Sequence, residues 1–164
     1  MASRWCDEVA DVLVVGYGSD LRRDDAVGRR VAEVVDRCRL PGVAVIARTQ
    51  LVPELVEQIS QVRQVVFVDA SCDARTVTAR PLSPGPSSTN SHHVTPEDLL
   101  HLVASLDRDC PAAFVVEVPA PDLSLGDGLS DLAAAQVPSA VDTVIDLCVT
   151  TRRDLSRRRV IDDR

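Results

Sequence analysis

Short apolar runs alternate with amphipathic stretches along the first half of the chain. DVLVVG (Asp11 to Gly16) is an apolar run ending in glycine and predicts a central strand. From Asp24 the period changes. Val27, Val31, Val34 and Val35 fall at i, i+4, i+7 and i+8, which predicts a helix with one apolar stripe. Leu40-Pro41-Gly42 stops that helix, and VAVIA (Val43 to Ala47) predicts the next strand. A second helix is expected over Pro53 to Ser60, followed by the strand QVVFVDA (Gln64 to Ala70). Strand and helix alternating in this way predict an α/β layered fold with helices covering a sheet.

The second half breaks the strict alternation. RTVTARPL (Arg75 to Leu82) follows too closely for a helical crossover, so it is expected to pair antiparallel and make the sheet mixed. PLSPGPSSTNSHH is the longest loop, rich in Pro, Ser and Gly. Thr95-Pro96-Glu97-Asp98 reads as a helix start, Thr95 as N-cap and Pro96 at N1, with Leu99, Val103 and Leu106 continuing the buried face. AAFVVEV (Ala112 to Val118) predicts another strand. A last helical region runs from about Ser130 to Thr150, with Val137, Val141, Val144, Ile145 and Cys148 as its stripe. Pro138 is expected to kink it or to open a second segment. Residues 152–164 are charged and aperiodic and read as a flexible tail behind a single domain, 1–151.

Composition sharpens this picture in two places. Of 164 residues 45% are hydrophobic but only 2% aromatic, so the core must be built from Val, Leu, Ile and Ala. The formal net charge of −7 lacks the basic footprint of a nucleic-acid or anionic-lipid binder. No run approaches the roughly 20 consecutive apolar residues of a membrane span. The N-terminal run is short and preceded by acids, unlike a signal peptide. Five scattered cysteines (Cys6, Cys38, Cys72, Cys110, Cys148) contain no CxxC pair, and a reduced cytoplasmic compartment is the simplest setting. Cys72, just beyond a strand end, reads as a buried neutral thiol; the alternative is a position lining a site.

Three polar features fall where the carboxyl ends of strands meet the following loops, the usual place for a site in an open α/β sheet. GYGSDLRRDDAVG follows the first strand and places Asp24 and Asp25 where a helix begins. One carboxylate can cap that helix; one cap needs one acid, which leaves the second to point outward. Asp69 ends an apolar strand, where a carboxylate must be hydrogen-bonded, paired or metal-bound. The adjacent pair His92-His93 stands in the loop before a helix. Two carboxylates and an imidazole would make a first shell for a divalent transition metal with positions left for water or substrate. Rival patterns fail. Leu21 stands where a dinucleotide fingerprint needs its third glycine, so no nucleotide cofactor is expected. A P-loop is excluded because the chain has no lysine, and GxSxG and HExxH are absent.

These segments together resemble the hydrogenase maturation protease family. GYGSDLRRDDAVG is similar to its glycine-x-glycine-asparagine, leucine and paired-acid segment. QLVPELVEQI with VVFVDAS resembles its second helix and third strand, SHHVTPEDLL its serine-histidine loop and helix, and GDGLSDLAAAQVPSAV its closing helix. The matches run in order from about Val12 to Val149. The resemblance implies a three-layer α/β/α sandwich around a twisted, mixed, roughly five-stranded sheet. It also implies a cytoplasmic endopeptidase that removes the C-terminal extension of a hydrogenase large-subunit precursor. Asp25, Asp69 and His92 would be the catalytic and metal-binding trio, meeting nickel supplied by the substrate. His92 is preferred to His93 on its spacing to Asp98-Leu99-Leu100. Ser19 replaces the family asparagine, Ala26 a common glycine, and Arg48-Thr49-Gln50 the glycine-glycine-threonine of some members. A non-catalytic assembly chaperone on the same scaffold is the alternative reading.

Overall fold

The computed structural model describes residues 10–85, 93–106 and 108–162, with backbone alone at 152 and 154–162. Strands β1 (Val12–Tyr17), β2 (Val43–Arg48), β3 (Gln64–Ser71), β4 (Thr78–Leu82) and β5 (Ala112–Pro119) form one sheet in the order β2-β1-β3-β5-β4. The first four of these neighbours in space, β2, β1, β3 and β5, run parallel, and β4 pairs antiparallel with β5 at the edge. The expected mixed α/β sheet is therefore present. The antiparallel partner is β5 and not the strand that precedes β4 in sequence. Pro81 lies in this edge strand, where a residue without an N–H is tolerated and helps deter pairing with another chain.

Helices α1 (Val27–Arg37) and α4 (Asp131–Asp162) share one face of the sheet with Val12, Val14, Val66, Val68, Val116 and Val118. Helices α2 (Leu55–Ile59) and α3 (Pro96–Ser105) contribute to the other face, over Leu13, Val15, Val65, Phe67 and Val115. The period of two along each strand separates the two cores. Valine dominates both, consistent with a chain poor in aromatic residues. Val27, Val31 and Val35 are buried as the helical stripe requires.

Four local expectations change. A 3-10 turn (Arg23–Ala26) precedes α1, and α2 is shorter than the predicted segment. Helix α4 passes through Pro138 without ending and continues to Asp162, beyond the point where the sequence loses its periodicity. Cys72 is exposed; β3 ends at Ser71, so the thiol follows the strand out of the core. The 131–151 part of α4 is as long and apolar as a membrane-crossing helix. It carries Asp142 and Asp146 and lays Ala133, Ala140, Val141, Val144 and Cys148 on the sheet-side core.

Candidate functional site

The strand order locates the site. From β1 the chain goes to β2 on one side and then returns to β3 on the other, with α1 and α2 on opposite faces. The crevice beyond the carboxyl ends of β1 and β3 is therefore the topological switch point. Gly16 is level with Val68, so the next positions, Tyr17 and Asp69, stand side by side at this crevice. Asp69 is in turn level with Glu117 of β5, which is opposite Thr78 of β4. Three strands thus carry apolar residues inward on one face and change to Tyr17, Asp69 and Glu117 at their ends.

These side chains line a cleft of about 290 Å³ together with Arg80, Leu82 and Val115 from the sheet and the segment His93 to Glu97. That segment leads into α3, whose start is fixed by a capping box. The Thr95 hydroxyl accepts from the Asp98 amide at 3.2 Å, and the Asp98 carboxylate accepts from the Thr95 amide at 3.0 Å. The cap predicted from the sequence thus also forms one wall of the cleft. Arg80 lies between two acids, 3.3 Å from Glu117 and 3.7 Å from Glu97.

The cleft perturbs the groups inside it. Burial pushes the Asp69 carboxyl above the ordinary carboxylate range, and the charges of Asp25 and Glu117 act in the same direction. Hydrogen bonds from the Tyr17 hydroxyl and the Ala70 amide, the latter at 2.8 Å, favour the charged carboxylate and oppose the rise. The Tyr17 phenol is pushed well above its usual value, first by burial, then by the charge of Asp69 and its hydrogen bond to that residue. Glu97 and Asp25 add to the effect.

The two acids of the first loop have divided roles, but neither caps α1. Asp24 is fully buried and accepts from the Asp122 amide, the Ser130 amide and the Ser130 hydroxyl at 2.9, 2.6 and 2.8 Å. Ser130 also accepts from the Ala133 amide at 3.2 Å, so the start of α4 is tied to the first loop. Asp25 accepts from the Ser19 amide at 2.7 Å across its own loop and is only partly buried. Gly18 has φ +136°, and a Cβ there would meet the Asp25 carbonyl oxygen at 1.7 Å. The loop after β1 is therefore tightly folded, with Asp25 held against its own Ser19.

Of the predicted trio, Asp69 lines the cleft, Asp25 stands on the loop after β1 and is not among the lining residues, and His92 lies outside the described residues. His93 lines the cleft with Asp69. Among the described residues no group of three His, Cys, Asp or Glu side chains is placed to hold a metal ion. Carboxylates at this rim suit a borderline divalent cation once an imidazole joins them, so the fit of a metal depends on the histidine pair. Tyr17, Arg80, Glu97 and Glu117 were not singled out in the sequence; extending the period of two to the ends of β1 and β5 points to Tyr17 and Glu117.

No protein-family model matches the chain, and no curated protein matches it. Solved structures do. The structure is similar to the hydrogenase maturating endopeptidase HybD from E. coli, with a TM-score of 0.70 and 18% identity over 85% of this chain and 93% of that one. It is similar to the [NiFe] hydrogenase maturation protease HycI from Thermococcus kodakarensis KOD1, with a TM-score of 0.66 and 18% identity over 88% and 95% of the two chains. HybD from Thermococcus kodakarensis gives a TM-score of 0.63 and 21% identity over 84% and 98%. The chain has the α/β fold of these hydrogenase maturation endopeptidases across most of its length.

Proposed function

We propose that this chain is a cytoplasmic hydrogenase maturation endopeptidase that removes the C-terminal extension of a nickel-loaded large-subunit precursor. The observation that supports the reading is Asp69, placed in the cleft at the switch point of this fold, with Asp25 on the loop after β1. The four sequence segments that resemble the family supply independent support. Nickel is part of the substrate in this reading. Asp25, Asp69 and His92 offer oxygen and nitrogen ligands to its open positions, so that cutting waits for metal loading. His93, on the same cleft wall, is the alternative imidazole.

Hydrolysis needs a polarised carbonyl and a water that loses a proton as it attacks. A substrate-borne metal next to the scissile bond would polarise the carbonyl. Asp25 or Asp69 would take the proton from the water and deliver it to the departing amine. The raised pKa of Asp69 suits a carboxylate that must hold a proton between those steps. The test is incubation with nickel-loaded precursor and mass spectrometry of the released peptide. Release by the wild-type chain, lost in Asp69→Asn and His92→Ala, is expected. Binding without release would favour an assembly chaperone, and trimming at the normal rate by both variants would remove this site from the account.

A further inference from the structure

The two edges of the sheet are built differently. On one edge β4 carries Arg80 and Pro81, a charge and a missing donor that discourage pairing. On the other, β2 runs Val43-Ala44-Val45-Ile46-Ala47 with neither a charge nor a proline before Arg48. Among the described residues no strand pairs with its outer side. Val43 and Val45 pack on one core and Ala44 and Ile46 on the other, yet all four are only partly buried. Val12 to Val15 of neighbouring β1 are fully buried. Both cores therefore thin out at β2 while the strand stays apolar on both faces.

The ladder to β1 shows which backbone groups of β2 are open. The Val12 amide donates to the Gly42 carbonyl at 3.2 Å, and the Gly18 amide donates to the Arg48 carbonyl at 3.1 Å. Alternate residues of a strand turn their N–H and C=O to the same neighbour, so Gly42, Ala44, Ile46 and Arg48 face β1. Val43, Val45 and Ala47 turn theirs outward. The Val43 amide donates locally, to the Leu40 carbonyl at 3.3 Å. Val45 thus offers a donor and an acceptor to the open side, Ala47 a donor and Val43 an acceptor.

We infer that the outer side of β2 is an interface for a second copy of this chain, paired antiparallel about a two-fold axis at Val45. The two Val45 residues exchange N–H···O=C bonds, and each Ala47 amide reaches the Val43 carbonyl of the other copy. A two-fold contact needs a surface complementary to itself, and this strand has one. The two Arg48 residues fall at opposite ends of the paired strands, about 20 Å apart at 3.4 Å per residue, too far to repel strongly. Helix α1, which packs beside β2, carries Arg30 and Arg37 with Glu33 and Asp36, so neither sign dominates next to the contact. A substrate segment fits this edge less well. The cleft takes its described walls from β1, β3, β4, β5 and the start of α3, so a strand added to β2 would have β2 and β1 between it and Asp69.

The test is sedimentation equilibrium of the full chain over a range of concentrations. The mass should rise from 17.7 kDa toward twice that value as the protein is concentrated. Val45→Pro removes the central donor without touching the ladder to β1, and should weaken association by about 10-fold or more. Its melting profile in dilute solution should stay close to that of the wild type. Hydrogen exchange of the wild type, read by NMR after quenching, needs no variant. The Val45 and Ala47 amides should exchange slowly in concentrated protein and quickly in dilute protein, while those of Ala44 and Ile46, which face β1, stay protected in both. A wild type that remains at 17.7 kDa at every concentration overturns the interface. So does a Val45→Pro chain that associates as tightly, or edge amides whose exchange is independent of concentration.

Discussion

Asp24 and Ser130 are 106 positions apart, yet the amide and hydroxyl of Ser130 both donate to the buried Asp24 carboxylate. The Asp122 amide completes the set. One side chain therefore joins the loop after β1 to the loop that opens α4, and Asp25 stands on the loop it secures. Asp24→Ala would leave the partly buried amides of Asp122 and Ser130 without this acceptor. Hydrogen bonds to charged groups contribute about 1.5–3 kcal/mol each, with substantial overlap when three share one carboxylate. A loss of about 3 kcal/mol is expected in urea unfolding at neutral pH, with Asp24→Asn recovering part of it. Unchanged stability in Asp24→Ala would show that the two loops are held by other contacts.

Gly28 sets how closely α1 approaches the switch point. A Cβ at this position would meet the Val68 carbonyl oxygen at 2.3 Å and the Tyr17 carbonyl oxygen at 2.6 Å, and both are backbone atoms of strands that cannot turn aside. Gly28→Ala should lift the helix from β1 and β3 and cost about 1–3 kcal/mol, more than the gain in helix propensity returns. The melting temperature should fall by several degrees, at roughly 2–4 °C per kcal/mol for a chain of this size. A stabilised Gly28→Ala protein would contradict the close approach.

The elements that the sequence made legible are those fixed by local chemistry. Valine runs mark the strands, the spacing of Val27, Val31 and Val35 marks α1, and Thr95-Pro96 marks the start of α3. Asp69 was also legible, since a carboxylate ending a valine run demands a partner. The partner was not. Tyr17 can be found beside Asp69 only when β1 and β3 are known to be neighbours in register. Asp24 and Asp25 could not be told apart for the same reason, because the donors of Asp24 lie in a distant loop. Arg80 joined the cleft only once β4 was known to pair with β5. The continuation of α4 past Thr150 has no apolar stripe to announce it.

Cys148 offers a pH dependence with a definite sign. It is buried on α4 against the sheet, and burial pushes its thiol up to about 11 from the ordinary 9.0. Between these values the unfolded thiol has lost its proton while the folded one keeps it. The unfolded state then binds fewer protons, so stability falls as pH rises. The contribution is fully present below about pH 9 and lost as pH climbs toward about 11. The raised phenol of Tyr17 acts in the same direction. A stability loss on the order of 2 kcal/mol across this window is expected from Cys148, and Cys148→Ala should flatten the slope while lowering stability at pH 8 through lost packing. Alkylation at pH 8 should label exposed Cys38 and Cys72 and spare Cys148 until the chain unfolds.

Arg80 separates the electrostatics of the cleft from its packing. Its guanidinium is about half exposed and lies 3.3 Å from Glu117 and 3.7 Å from Glu97. Ion pairs at such exposure contribute about 0–1 kcal/mol, so Arg80→Ala should leave the melting temperature nearly unchanged. The charge balance beside Asp69 changes more. Among the described residues that line the cleft Arg80 is the one arginine, and its removal takes a positive charge away from beside Asp69, Glu97 and Glu117. A divalent cation should then bind more tightly, by a factor that shrinks as salt rises, since the altered charges are partly screened. Nickel titrations of Arg80→Ala and wild type at low and high ionic strength provide the measurement. Tighter binding at low salt with convergence at high salt is the expected result. Weaker binding in Arg80→Ala at every ionic strength would mean that Arg80 orders the two glutamates more than it opposes the incoming charge, and would reverse its assigned effect.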